Sequence, residues 1–214
     1  MSEEVQVNQN ENVNTNFKDV FLKYRRSIIL FSTIILICLF SYFFYVDYKK
    51  DTKVKISERY NFIVSDFDKD NQSLTVIEMK KIINLKDSTY SPLALYFLLD
   101  NNLLNDEDEI NKYFDILINE TSLDQEVKNL IIYKKGLYNS NKANEEQLLN
   151  IFNPLITKDN LWKSHSLYIL AEYFFSKNEK QKSKEFFEKI IEMENSNLQI
   201  KIEAQKRLQR DFGV

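Results

Sequence analysis

The chain has 214 residues, 43% of them hydrophobic and 29% charged, a formal net charge of −3, one Cys, one His, two Gly and two Pro. One Cys excludes a disulfide framework, and the slightly acidic balance lacks the basic face that a nucleic-acid footprint demands. Two glycines leave no phosphate-cradling loop.

Met1 to Asn16 is Asn- and Glu-rich without Lys or Arg and reads as a disordered tail. Phe17, Val20, Phe21 and Tyr24 share a helical face beside Lys18, Lys23, Arg25 and Arg26. They form either a short interfacial helix on anionic lipid or the start of the spanning helix. Residues 1–26 form one segment ahead of the expected span.

Ser27 to Val46 is an apolar run without a charge. A helix of that length rises about 30 Å, the thickness of a bilayer's hydrocarbon core, so 27–46 is predicted to span a lipid bilayer. The run enters Asp47 through Phe43, Phe44 and Tyr45 with no small-x-small site, so an uncut anchor is expected. Bulky Ile37 before Cys38 argues against lipidation, and the thiol reads as buried in lipid or against another helix. Phe40, Tyr42, Phe43, Phe44, Tyr45 and Tyr48 crowd one end, as headgroup-level rings do. Lys49, Lys50, Lys53 and Lys55 balance the basic residues before the run, so charge alone gives no orientation.

The 168 residues from 47 to 214 suffice for one domain or a short solenoid. Strand signals are missing and apolar residues recur at helical spacing, so the domain is predicted to be all-α. A large apolar residue followed at three and four positions by two aliphatics repeats: Met79, Ile82, Ile83; Phe114, Leu117, Ile118; Phe152, Leu155, Ile156; Phe187, Ile190, Ile191. The intervals are 35, 38 and 35 residues. That is close to the roughly 34-residue period of a tetratricopeptide-type helix-turn-helix unit, which buries its apolar face only against its neighbours.

Helix starts follow from caps: Ser91 before Pro92, and Ser122, Asn144, Asn178 and Ser196 each three residues before a Gln. The predicted helices are 54–68, 73–85, 91–103, 106–119, 123–139, 145–157, 161–176, 179–193 and 197–210, or four hairpins and a closing helix. Tyr133, Gly136 and Tyr138 match Tyr168, Ala171 and Tyr173 at an offset of 35, while Asn139 faces Phe174. Small residues at 136 and 171 let paired helices approach.

Catalytic chemistry has no foothold. His165 lies between Ser164 and Ser166, and residues one apart on a helix point to different faces. Asp106 to Glu109 lacks the Gly-turned loop of a calcium site, and acids in a first helical turn complement the macrodipole. No cofactor, metal, nucleic acid or small-molecule substrate is expected. Stacked hairpins instead leave a concave surface lined by first helices, on which Tyr96, Tyr133, Lys134, Tyr168 and Tyr173 are candidates for recognising an extended chain.

In Pro154, Leu155, Trp162, Ala171, Phe187 and Ile190, followed by a closing helix with Ala204 and Leu208, the chain resembles the tetratricopeptide-like domain of the ancillary SecYEG translocon subunit family, the YfgM-like proteins. The layout of basic stretch, single span and helical-repeat domain is similar too. The sequence departs from that family at Ser183, where the repeat usually has Ala, at Asn178, in a turn often held by Gly, and throughout its degraded early repeats. The resemblance implies a single-pass protein of the bacterial inner membrane, N-terminus cytoplasmic and domain periplasmic. It also implies partnership with the SecYEG translocon and a PpiD-type membrane-anchored chaperone, holding emerging polypeptide without turnover. The other reading is a scaffold for envelope assembly or cell-division machinery.

Overall fold

The computed structural model describes residues 17–68 and 71–213, with side chains from Tyr24 onward. The disordered-tail expectation for Met1 to Asn16 lies outside the described residues. The chain divides into two compact units, Met1–Lys55 and Ile56–Val214.

The first helix, α1, is Phe17–Ser65. The chain contains no Gly before Gly136 and no Pro before Pro92, so no residue here breaks a helix. A separate helix starting near 54 therefore does not exist, and Phe17 begins the same helix that carries the apolar run. Every residue from Tyr24 to Lys55 is exposed, including Phe31, Ile35, Phe40 and Phe44. It is the one described helix long and apolar enough to cross a membrane. Thr33 Oγ1 donates to the Ile29 carbonyl at 2.8 Å, so this hydroxyl is satisfied within the helix, as lipid requires. Cys38 is exposed rather than buried against another helix of this chain.

In the second unit, burial begins at Ile56 rather than at Asp47, where the soluble domain was expected to start. The end of α1 is followed by α2 (Gln72–Asn84), α3 (Tyr90–Asp100), α4 (Glu107–Asp115), a π-helical turn (Ile116–Glu120), α5 (Gln125–Asn139), α6 (Glu145–Ile156), α7 (Lys163–Ser176), α8 (Lys180–Glu192) and α9 (Leu198–Phe212). The fold is all-α: the described residues contain no strand. Helices α2 and α3, α5 and α6, α7 and α8, and α8 and α9 pack as neighbours in sequence, while α5 with α7 and α7 with α9 pack at one remove.

The cores follow the chain. Ile56 to Ile131 build one cluster, Ile132 to Phe174 the next and Leu167 to Leu208 the last. Adjacent helix residues diverge by about 100°, so Ile131 and Ile132 serve different clusters from one helix. In α7, Leu170 and Phe174 face one neighbour while Leu167 and Ala171 face the other. Helices α5 and α7 thus each contribute to two successive clusters, whereas the expected pairing of the third and fourth helices is replaced by packing of α3 on α2.

Met79, Ile82, Ile83, Phe114, Leu117, Phe152, Leu155, Phe187 and Ile190 are at most 1% exposed. Ile118, Ile156 and Ile191, the last members of their triplets, are half-buried at cluster edges. Gly136 is buried, and a Cβ there would lie 2.2 Å from Phe152 Cζ. The aromatic ring occupies the space a side chain would need.

Caps explain the boundaries. Asn144 and Gln147 form the reciprocal capping box of α6, at 2.9 and 3.0 Å. Ser122 and Ser196 are not caps: Asp124 accepts from Glu126 N–H, and Asn197 accepts from Gln199 and Ile200. A carboxylate or carboxamide nearer the helix displaces the hydroxyl expected to do this work. Asp87 takes the N–H groups of Thr89 and Tyr90, which frees Ser91 to donate to the Ile82 carbonyl across the hairpin at 2.8 Å. Asn178 closes α7 instead of opening α8. Its φ of 62° lies in the left-handed region, and the N–H groups of Asn178 and Glu179 return to Phe175 and Phe174.

Candidate functional site

Helices α3, α5 and α7 each present half-buried aromatic side chains. On α3, Tyr96 packs against the first core cluster, and Lys134 of α5 sets its ammonium 4.1 Å from the ring centroid. The Tyr96 hydroxyl is buried without a hydrogen-bond partner. Burial, helped by the nearby Asp100 carboxylate, raises its pKa far above the usual phenol value, so it stays a neutral donor.

On α5, Tyr133 stacks on Trp162 with ring centroids 5.1 Å apart and planes inclined by 25°. His165, one turn into α7, lies 5.4 Å from Trp162 and 5.9 Å from Tyr133. The three rings form a single cluster across the α5–α7 seam. Desolvation lowers the His165 pKa below its ordinary value, opposed by the Leu161 carbonyl. That carbonyl makes no well-formed hydrogen bond, since Nδ1 is buried and unpartnered. The His ring is therefore held toward its neutral form. Burial likewise raises the pKa of Tyr133.

Further along α7, Tyr168 meets Phe187 edge-on at 5.5 Å. Its pKa is raised by burial first and by the Glu172 carboxylate second. Arg207 of α9 lies over Phe175 at 4.6 Å and pairs with Glu172 at 2.7 Å. Beside these rings lie uncovered aliphatics: Leu93, one turn before Tyr96, is 40% exposed, and Leu137, one turn after Tyr133, is 46% exposed.

Tyr96, Tyr133, Lys134 and Tyr168 thus remain partly accessible on α3, α5 and α7. Tyr173 does not belong with them. It is buried in the second core cluster, edge-on to Phe174, and its hydroxyl reaches only the Ala143 carbonyl at 3.4 Å. It lies five residues beyond Tyr168, about 140° around the helix, which turns it from the open face into the hairpin. Trp162 and His165 are the members that sequence spacing left out, although their three-residue interval puts them on one helical face. No group of three or more His, Cys, Asp or Glu among the described residues could hold a metal ion.

Aromatic rings with a polar edge and aliphatics at their flanks can grip an extended chain by stacking and by occasional hydrogen bonds. No protein-family model matches this chain, and neither a curated protein nor a solved structure matches it.

Proposed function

We propose that this protein is a membrane-anchored, tetratricopeptide-like binding module that holds polypeptide on the face formed by α3, α5 and α7, by adhesion and without turnover. One observation supports this above all: Tyr96 on α3, Tyr133 on α5, and Trp162 and Tyr168 at the start of and within α7 stay half-accessible, beside the exposed Leu93 and Leu137. A monomeric core would cover such residues; a surface that captures apolar segments keeps them available.

The resemblance to ancillary SecYEG translocon subunits supplies the setting: a bacterial inner membrane, the N-terminus in the cytoplasm and the domain in the periplasm. There it would hold emerging chains beside the translocon and a PpiD-type chaperone. A photo-crosslinking residue in place of Leu137, on the open face, tests this in intact cells. Adducts with SecY and with nascent secretory chains are expected. Adducts confined to envelope-assembly or division factors would overturn the translocon setting while keeping the binding face. A reporter fused after Val214 and active only outside the cytoplasm should be active.

A further inference from the structure

Where the π-helical turn meets the start of α5, the end of α6 and the α6–α7 connection, a crevice of about 590 Å³ opens, within the usual range of ligand clefts. Its floor includes Asn129, only 6% exposed. Asn129 Oδ1 accepts from Gln125 Nε2 at 2.9 Å, and Nδ2 donates to Glu126 Oε1 at 3.3 Å. A carboxamide has two N–H donors and two lone pairs, so one of each is left over on Asn129. The N–H and C=O of one residue in an extended chain, which point to the same side, complement that donor and acceptor.

The charges around the floor are unequally committed. Lys128 and Lys158 both line the crevice, and neither makes an ion pair with a described residue. Several other lysines of the second unit do, among them Lys80, Lys86, Lys135, Lys142 and Lys182. Of the two acids in the lining, Asp159 is compensated by Lys163 at 2.9 Å and Glu126 receives the Asn129 hydrogen bond. Two uncommitted cations therefore flank an amide floor in a protein whose net charge is −3. The wall on one side is the π-helical turn, through Ile118 and Asn119, and such turns concentrate at working sites.

We propose that this crevice binds an acidic stretch of extended polypeptide, its main chain on Asn129 and its side-chain carboxylates on Lys128 and Lys158. The site is distinct in chemistry from the aromatic face and does not depend on it. Charge-assisted hydrogen bonds give it selectivity for acidic sequence, where stacking on aromatic rings is indifferent to sequence charge.

The test uses the full chain in a neutral detergent and fluorescence anisotropy of a fluorescein-labelled, amidated octapeptide of alternating Glu and Ser. Saturable binding is expected, with the matching Gln–Ser peptide about tenfold weaker or more. The double substitution Lys128→Gln/Lys158→Gln, at one half-buried and one exposed lysine, should weaken the acidic peptide by a similar factor. Lys112→Gln/Lys180→Gln, which removes two other lysines without ion pairs, should leave it unchanged. An acidic peptide with sarcosine in place of Ser, lacking alternate N–H groups, should also bind more weakly. Absence of binding, or equal loss in the two lysine pairs, would overturn the site. Undiminished affinity of the sarcosine peptide would overturn the main-chain contact.

Discussion

The α5–α6 and α7–α8 hairpins are built on one plan, offset by 35 residues, yet at one of two matched pairs of positions the large and small residues change places. In the first, Gly136 leaves room for the ring of Phe152, and nearer the loop lie small Asn139, whose carboxamide pairs with Asn111 of α4, and large Leu148. In the second, Ala171 and Phe187 hold the matching positions, and the matches of Asn139 and Leu148 are large Phe174 and small Ser183. All eight side chains are buried. At that exchanged pair the summed volume is nearly kept while the larger residue changes helix, and at the other pair Gly136 and Ala171 differ by one methyl beside a phenylalanine on the same helix, so the small position is the one that limits the ring.

The largest test of that limit is Gly136→Ala. The new methyl would meet three ring atoms of Phe152 at 2.2 to 2.8 Å, and the ring, itself unexposed, has nowhere to go. Overpacking costs up to about 3 kcal/mol, and alanine recovers about 1 kcal/mol of helix propensity over glycine. A net loss of about 2 kcal/mol is expected in urea unfolding followed by circular dichroism. Phe152→Leu, which removes the clashing Cε and Cζ atoms, should restore part of it in the double variant. A neutral Gly136→Ala would mean that the two helices are not held apart by that ring alone.

A smaller effect of opposite sign is expected at the other hairpin. Ser183 is unexposed and its hydroxyl has no partner. An unsatisfied buried hydroxyl is a liability, and alanine is also the better helix former. Ser183→Ala should raise stability by about 1 kcal/mol, read as an upward shift of the urea midpoint. Destabilisation would show that the hydroxyl serves a contact that packing alone does not reveal.

These two residues mark what could and could not be read from sequence. The apolar triplets and the small residues at 136 and 171 carry the helical period and the hairpin spacing, because burial on both sides of a helix leaves a local imprint. The Asn144–Gln147 capping box is equally local. Three features are not. Which acceptor caps α5 and α9 depends on competition among neighbours, and Asp124 and Asn197 prevail over Ser122 and Ser196. The π-helical turn at Ile116–Glu120 replaces the end of an expected regular helix without a glycine or proline to announce it. The candidate face split for a rotational reason: Tyr133 and Tyr168 stay open while Tyr173, also a tyrosine on α7, turns inward, and only the crossing of α5 and α7 brings Trp162 and His165 to Tyr133.

That crossing supplies the smallest and most local measurement, because Trp162 is the only tryptophan in the chain. Its fluorescence reports the seam where one hairpin docks on the other. His165 faces the rings of Trp162 and Tyr133, with the Leu161 carbonyl as the one group favouring protonation. Burial holds the folded-state pKa of His165 below the unfolded value of 6.5. As pH falls through 6.5 the unfolded chain takes up its proton first, so this residue's contribution to stability declines until pH passes the folded pKa, and is constant below it. Trp162 emission should titrate with a midpoint below 6.5, together with a modest fall in melting temperature over the same interval. Both responses should vanish in His165→Gln. A midpoint at or above 6.5 would place the imidazole in solvent, and the two hairpins would then meet without the three-ring cluster that joins them.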